Sequence, residues 1–158
     1  MARRLLIVWA GRHQRREWKP LYEDYRGRLS RDIKIDEHWI KVKGSSEDPG
    51  RKRAEAEAIL AALPDPCFTV ALDERGRTLD SVAFAREIDR LKSEWPHPVA
   101  FVLGSDLGLD PSVIKAARLH LSLGPMTLGH ELARLVLYEQ LYRAFAIGKG
   151  IKYHRAEF

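Results

Sequence analysis

One cysteine, Cys67, stands alone in a chain of 158 residues. A single thiol excludes an internal disulfide and a multi-cysteine zinc site, and it suits a reducing cytosol. No apolar run approaches the roughly 18 residues that span a bilayer, so no membrane segment is expected. The apolar stretch Leu5–Trp9 is too short for the core of a signal peptide, and Gly11-Arg-His-Gln-Arg-Arg16 is no cleavage site. Several signatures are also missing. There is no Gly-x-x-x-x-Gly-Lys-Ser/Thr loop, no Gly-x-Gly-x-x-Gly after the first strand and no Gly-x-Ser-x-Gly elbow. These absences weigh against a P-loop NTPase, a dinucleotide enzyme and a serine hydrolase. Six histidines show no His-Glu-x-x-His spacing, and His130 beside Glu131 does not supply it, so no metal is expected.

What is present is ordinary in bulk and uneven in placement. The chain is 45% apolar and 31% charged, with a net charge of +5. Residues 1–53 hold fifteen Lys and Arg against eight Asp and Glu, whereas residues 54–158 hold twelve against fourteen. The basic third reads either as a solvated surface or as a face that contacts phosphates. The length suits a single domain over 1–158, and no linker or repeat divides it.

Periodicity gives an alternating chain of elements. Leu5–Trp9 is a buried strand ending at Gly11, followed by a basic loop with Arg12, His13, Arg15 and Arg16. Trp18, Leu21, Tyr22, Tyr25 and Leu29 fall on one helical stripe, and their aromatics are expected in the core rather than as stacking platforms. Ile33 to Trp39 alternates like a strand packed on one face. Gly44–Gly50 is a polar loop beside the basic triplet Arg51-Lys-Arg53, suited to clamping a substrate or to idle connection. Arg51–Leu63 is a helix stopped by Pro64 and Pro66.

Cys67–Leu72 is the next buried strand, and Asp73–Arg77 a polar turn at its carboxyl end. Asp80 or Ser81 caps a helix whose stripe runs from Val82 to Trp95. Val99–Leu103 is a strand ending on Gly104. Asp110-Pro111 opens a short helix ending near Arg118. Leu119–Leu123 returns to the sheet, Gly124-Pro125 turns, and a long helix runs from Glu131 to Gly148. The fold class is therefore α/β: a mainly parallel sheet with helices on both faces. Two strands that stop at glycines beside a helix start form a crevice of the kind that binds nucleotide-like ligands.

The stretch 99–155 resembles the SPOUT-class ribosomal large subunit methyltransferase H family. The residues that carry the likeness are Phe101-Val-Leu-Gly104 with Gly108-Leu109, and Leu121-Ser-Leu-Gly-Pro-Met-Thr-Leu128. His130, Arg134, Leu141-Tyr-Arg-Ala-Phe145 and the tail Tyr153-His-Arg155 continue it. Thr69-Val-Ala-Leu-Asp73 with Gly76 and the total length fit as well. The sequence departs from the pattern at Ser105-Asp106, at Gly129 and Glu131 around His130, and at Lys152.

The resemblance implies a C-terminal deep trefoil knot whose crevice holds S-adenosylmethionine. The matching donor positions are Leu72, Gly104, Leu123, Gly124, Pro125, Met126, Thr127 and Leu128. Gly104 and Gly124 permit close approach of a ligand, although turn chemistry accounts for both equally well. The resemblance further implies a cytoplasmic homodimer that methylates N3 of a pseudouridine in helix 69 of 23S rRNA, on assembled ribosomes, without a metal. Catalytic candidates are His130 and the tail residues Tyr153, His154 and Arg155, with Arg155 suited to a phosphate or base carbonyl. Another RNA target such as tRNA, or a non-catalytic dimeric RNA-binding relative, are the alternatives.

Overall fold

A computed structural model describes residues 4–12, 14–45 and 47–153 of the chain. The elements alternate as the periodicity predicts. They are β1 (Arg4–Gly11), α1 (Lys19–Leu29), β2 (Lys34–Lys41), α2 (Arg51–Ala62) and β3 (Phe68–Thr78). Then come α3 (Ser81–Glu94), β4 (Val99–Leu103), α4 (Pro111–Ala116), β5 (Leu119–Ser122) and α5 (His130–Gly148). A 3₁₀ turn, Arg16–Trp18, leads into α1. The loop histidine His13, Ser46, and the tail residues His154 and Arg155 lie outside the described residues.

The five strands form one sheet in the order β2-β1-β4-β3-β5, and every pairing is parallel. Successive side chains of a strand point to opposite faces, so a strand covered on both sides must be apolar throughout. β1 and β4 are such strands. Leu5, Ile7 and Trp9 face one core with Phe101 and the helices α1, α3 and α5. Leu6, Val8 and Ala10 face the other with Val102, Ala56 and Ile59 of α2, and Val113 of α4. All five residues of β4 are buried. Phe101 and Ile7 are fully enclosed, and removing a side chain the size of Phe101 from such a site costs about 3–5 kcal/mol.

Local signals set the helix starts. The Asp80 carboxylate accepts from the Ala83 N–H at 2.7 Å and caps α3. Asp110 accepts from the Ser112 N–H at 3.0 Å, with Pro111 in the first turn of α4.

Two elements differ from the sequence reading. β3 does not stop at Leu72: it continues to Thr78 through an irregularity in which Leu72 and Arg77 both register with Leu121. The polar residues 73–76 arch out of the ladder and the strand then rejoins β5, a bulge that periodicity cannot show. Gly76 sits where β3 comes closest to β5, and a Cβ there would lie 2.6 Å from the His120 carbonyl carbon. β2 is the sheet's edge strand and carries no fully buried residue. Its Trp39 is therefore more exposed than a one-faced strand predicts, at 37%.

Candidate active site

The carboxyl ends of β3, β4 and β5 open into one cavity of about 650 Å³. Its floor is Leu72, Leu103, Gly104 and Leu121, and its wall is the loop Leu123–Gly129 that leads into α5. Asp73, Glu74 and Asp106 add carboxylates, and Lys52 adds a cation at the rim. A volume of this order holds a nucleoside-sized ligand.

Seven of the eight residues that the resemblance assigns to the donor line this cavity. The eighth, Pro125, lines a neighbouring cavity of about 520 Å³ instead, which shares Leu121, Leu123 and Gly124 with the first.

The two glycines have different reasons to be glycine. Gly104 has no strained backbone, yet a Cβ on it would lie 2.5 Å from the Gly108 carbonyl carbon. The turn Ser105–Gly108 folds back onto it, and Gly108 adopts φ +74° to close that turn. Gly124 has φ +134° and faces open space, with nothing within 4 Å of a would-be Cβ. Turn packing thus explains Gly104, and Gly124 leaves its backbone open to a ligand.

The loop around Gly124 is tied to β3. The Ser122 hydroxyl accepts from the Gly124 N–H at 3.1 Å and shares its proton between the Gly124 carbonyl at 2.9 Å and the Glu74 carbonyl at 3.1 Å. Thr127 donates to the Glu74 carboxylate at 2.9 Å. Glu74, on the arch of β3, therefore holds the loop at two points.

The turn after β4 is tied to α2. Arg51, 4% exposed, donates to Glu55 at 3.1 Å, to Ser105 at 3.3 Å and to Asp106. Burial alone would raise the Asp106 carboxyl, but the Arg51 hydrogen bond and charge outweigh it and hold the pKa below its usual value. Two of the residues that depart from the family pattern, Ser105 and Asp106, are thus matched by a buried arginine. Of the basic triplet, Arg51 is structural, Lys52 reaches the cavity, and Arg53 is exposed opposite Glu57 at 3.8 Å.

His130 opens α5 and lines the cavity, packed on the end of β1. A Cβ on Gly11 would lie 3.3 Å from His130 Nε2, a buried atom without a hydrogen-bond partner among the described residues. One turn on, the Arg134 guanidinium lies 3.8 Å from the ring centres of both Trp9 and Tyr22, and 3.9 Å from Glu37. The Tyr22 hydroxyl donates to the Glu131 carbonyl at 2.6 Å. These contacts fix the first turns of α5 against β1 and α1. Sequence reasoning missed Arg134 as an anchor and Glu37 as its partner; a charged residue on an apolar helix stripe was the available signal.

Tyr153 is elsewhere. It packs edge-on against Tyr142 and donates to Glu139 at 3.2 Å, twelve and nine residues along α5 from His130. That is about 14–18 Å down the helix axis. Burial, a bond with Tyr25 and the Glu139 charge raise its phenol pKa, so the hydroxyl keeps its proton at neutral pH and donates a hydrogen bond to Glu139. Within one chain Tyr153 does not line the donor cavity.

Among the described residues no three His, Cys, Asp or Glu side chains gather as metal ligands, and no helix is long and apolar enough to cross a membrane.

The family described as "Predicted SPOUT methyltransferase" matches residues 3–154. A protein of Gluconacetobacter diazotrophicus, "Ribosomal RNA large subunit methyltransferase H", is 44% identical over 153 residues, spanning 95% of this chain and 96% of its own. A protein of the same description from Rhodospirillum centenum is 41% identical, over 97% and 99% of the two chains. Among solved structures, a probable methylase family protein from Haemophilus influenzae shares the fold, with a TM-score of 0.56 at 15% identity. It covers 98% of this chain and 71% of its own.

The chain belongs to the SPOUT methyltransferase family. Such enzymes take their methyl group from S-adenosylmethionine. Within that class, its place is in the ribosomal RNA large subunit methyltransferase H family.

The cavity fits the donor on its own terms. The open backbone at Gly124 and the apolar side chains Leu72, Leu123 and Leu128 suit an adenine. Charges of both signs line it, Asp73, Glu74 and Asp106 with Lys52 and Arg75, which suits a ligand carrying an amino-acid group and a sulfonium.

Proposed function

We propose that this protein transfers the methyl group of S-adenosylmethionine to N3 of a pseudouridine in helix 69 of 23S rRNA. It would act in the cytoplasm on assembled ribosomes, as a homodimer whose C-terminal part is threaded as a trefoil knot. The observation that carries this reading is the shared cavity: seven family donor positions line it, in a chain matched end to end by rRNA large subunit methyltransferases.

The chemistry is a direct displacement. N3 loses its proton and attacks the methyl carbon; the carbon–sulfur bond breaks and its electron pair stays on sulfur, leaving a neutral thioether. The protein's part is to align the two groups, worth effective molarities of about 10⁵–10⁸ M in intramolecular models. It must also take up the imide proton or stabilise the anion left on the base. His130 is the candidate within the cavity, and His154 and Arg155 are candidates from the tail. Tyr153 packs on α5 well down the helix from its own chain's cavity, which supports a site completed by the partner's tail.

Transfer of radiolabelled methyl to unmodified ribosomes, stripped 23S rRNA and bulk tRNA tests the reading. Label on ribosomes at the helix 69 pseudouridine is the expected result. Label on tRNA would move the target, and RNA binding with neither transfer nor donor binding would leave a binding relative.

A further inference from the structure

Trp39 is held where a nucleotide could stack on it. It lies on the edge strand β2, two residues beyond Glu37, whose carboxylate receives the Tyr138 hydroxyl at 2.6 Å and Arg26 at 2.7 Å. Glu37 is thus tied into the protein, while Trp39 stays 37% exposed. An exposed indole is usually mobile and has its N–H in water. Here the N–H donates to the Gly11 carbonyl at 2.9 Å, which satisfies the polar edge and fixes the ring. The same Gly11 is flanked by His130, a lining residue of the donor cavity. The ring therefore stands directly beside the mouth of the methyl-donor site.

One cation lies against the ring and others lie on the adjoining loops. Lys41 Nζ lies 5.9 Å from the ring centre. Arg12 follows Gly11 and reaches the Gly44 carbonyl, and Arg15, its side chain 71% exposed, sits 3.9 Å from Glu131, next to His130. Lys43 is exposed on the same connection. A fixed, half-exposed aromatic ring bordered by Arg and Lys has the chemistry of single-strand RNA recognition: the ring stacks an unpaired base, and the cations meet its phosphates.

We propose that Trp39 is the stacking platform for an unpaired base flanking the target nucleotide, with Arg12, Arg15 and Lys41 on the adjoining phosphates. The proposal rests on the reading of this protein as an RNA methyltransferase. It assigns to the basic N-terminal third a defined place of contact, and it makes Trp39 a substrate-binding residue, separate from the donor site.

The test uses the full chain with Trp39→Ala, Trp39→Phe and Lys41→Gln. Direct binding to unmodified ribosomes, methyl transfer to them, S-adenosylmethionine affinity and sedimentation are measured for each. Trp39→Ala is expected to weaken RNA binding and raise KM by about 5- to 100-fold, the span of one base–aromatic stack, at unchanged donor affinity. Trp39→Phe should restore most of the affinity. Lys41→Gln should lower the salt slope by about 0.7 for each phosphate that the lysine neutralises, and Trp39→Ala should leave that slope alone.

Wild-type RNA binding and KM in Trp39→Ala would overturn the platform while the enzyme reading stands. A dissociated dimer in Trp39→Ala would overturn it too, making the indole a contact between copies of the chain. If the wild-type protein binds no RNA at all, the enzyme reading falls and the platform with it.

Discussion

At Gly104 a single methyl group decides whether the turn after β4 can pack back onto the strand. The Ser105–Gly108 turn lies so near that an added Cβ would stand 2.5 Å from a backbone carbon, and backbone cannot swing aside as a side chain can. Gly104→Ala should cost about 1–3 kcal/mol of stability by overpacking and weaken donor binding in the same variant, read by urea denaturation and calorimetric titration. Gly124→Ala meets no neighbour within 4 Å and is destabilised only through its φ of +134°, about 1–3 kcal/mol of backbone strain. Arg134 belongs to the same scale. Its guanidinium is sandwiched between Trp9 and Tyr22 at 3.8 Å from each, a geometry that only a planar cation fills. Arg134→Lys should therefore destabilise the protein by about 2 kcal/mol, the worth of a desolvated cation–π contact, measured as a lowered denaturation midpoint. None of this was visible from residue types alone. Gly104 read equally well as turn or ligand contact, and only the separation of its neighbours distinguishes the two.

At the scale of elements, the sequence was informative where hydrophobic pattern decides structure and silent where tertiary contact does. β1 and β4 are continuous apolar runs because both their faces are covered, so they were legible to within a few residues. The far half of β3 was not: Asp73-Glu-Arg-Gly looks like a turn and is one locally, yet the chain rejoins β5 beyond it. The polar loop beside the basic triplet that opens α2 read either as a substrate clamp or as an idle connection; within the triplet, Arg51 points inward and ties the helix to the turn after β4. That link has a pH signature. Asp106 has a lowered pKa in the folded protein, so the unfolded chain binds more protons and stability rises with pH across this group. Its contribution is present above the usual carboxylate pKa near 4 and disappears as pH falls through the lower folded value. Asp106→Asn should flatten the acid limb of the stability profile below about pH 4, seen by comparing denaturation midpoints at pH 3 and pH 7.

For the molecule as a whole, the issue is where the two halves of the candidate site lie. The donor cavity and His130 are at one end of α5, and Tyr153 is packed further along the same helix. The sequence named both sets of residues but not the distance between them, since tail and cavity are close only in the order of the chain. If a partner's tail completes each cavity, a dimer pairing His154→Ala with Gly104→Ala retains one intact composite site. Each variant alone should be inactive in methyl transfer, and mixing the two under subunit exchange should restore part of the activity. No recovery, with exchange shown by sedimentation or labelling, would place the tail and cavity of one chain together.

The strand order also bears on how a growing chain acquires this structure. β4 is fourth to be synthesised, yet it lies between β1 and β3, which pair with each other only through it. Until Val99–Leu103 has emerged, β1 with β2 on one side and β3 on the other are two unconnected pieces with open hydrogen-bonding edges. A nascent chain arrested before Val99 should accordingly be cut readily by protease, and one arrested after α5 should resist. For most of its synthesis the polypeptide is committed to nothing, and a single five-residue segment turns two fragments into one sheet.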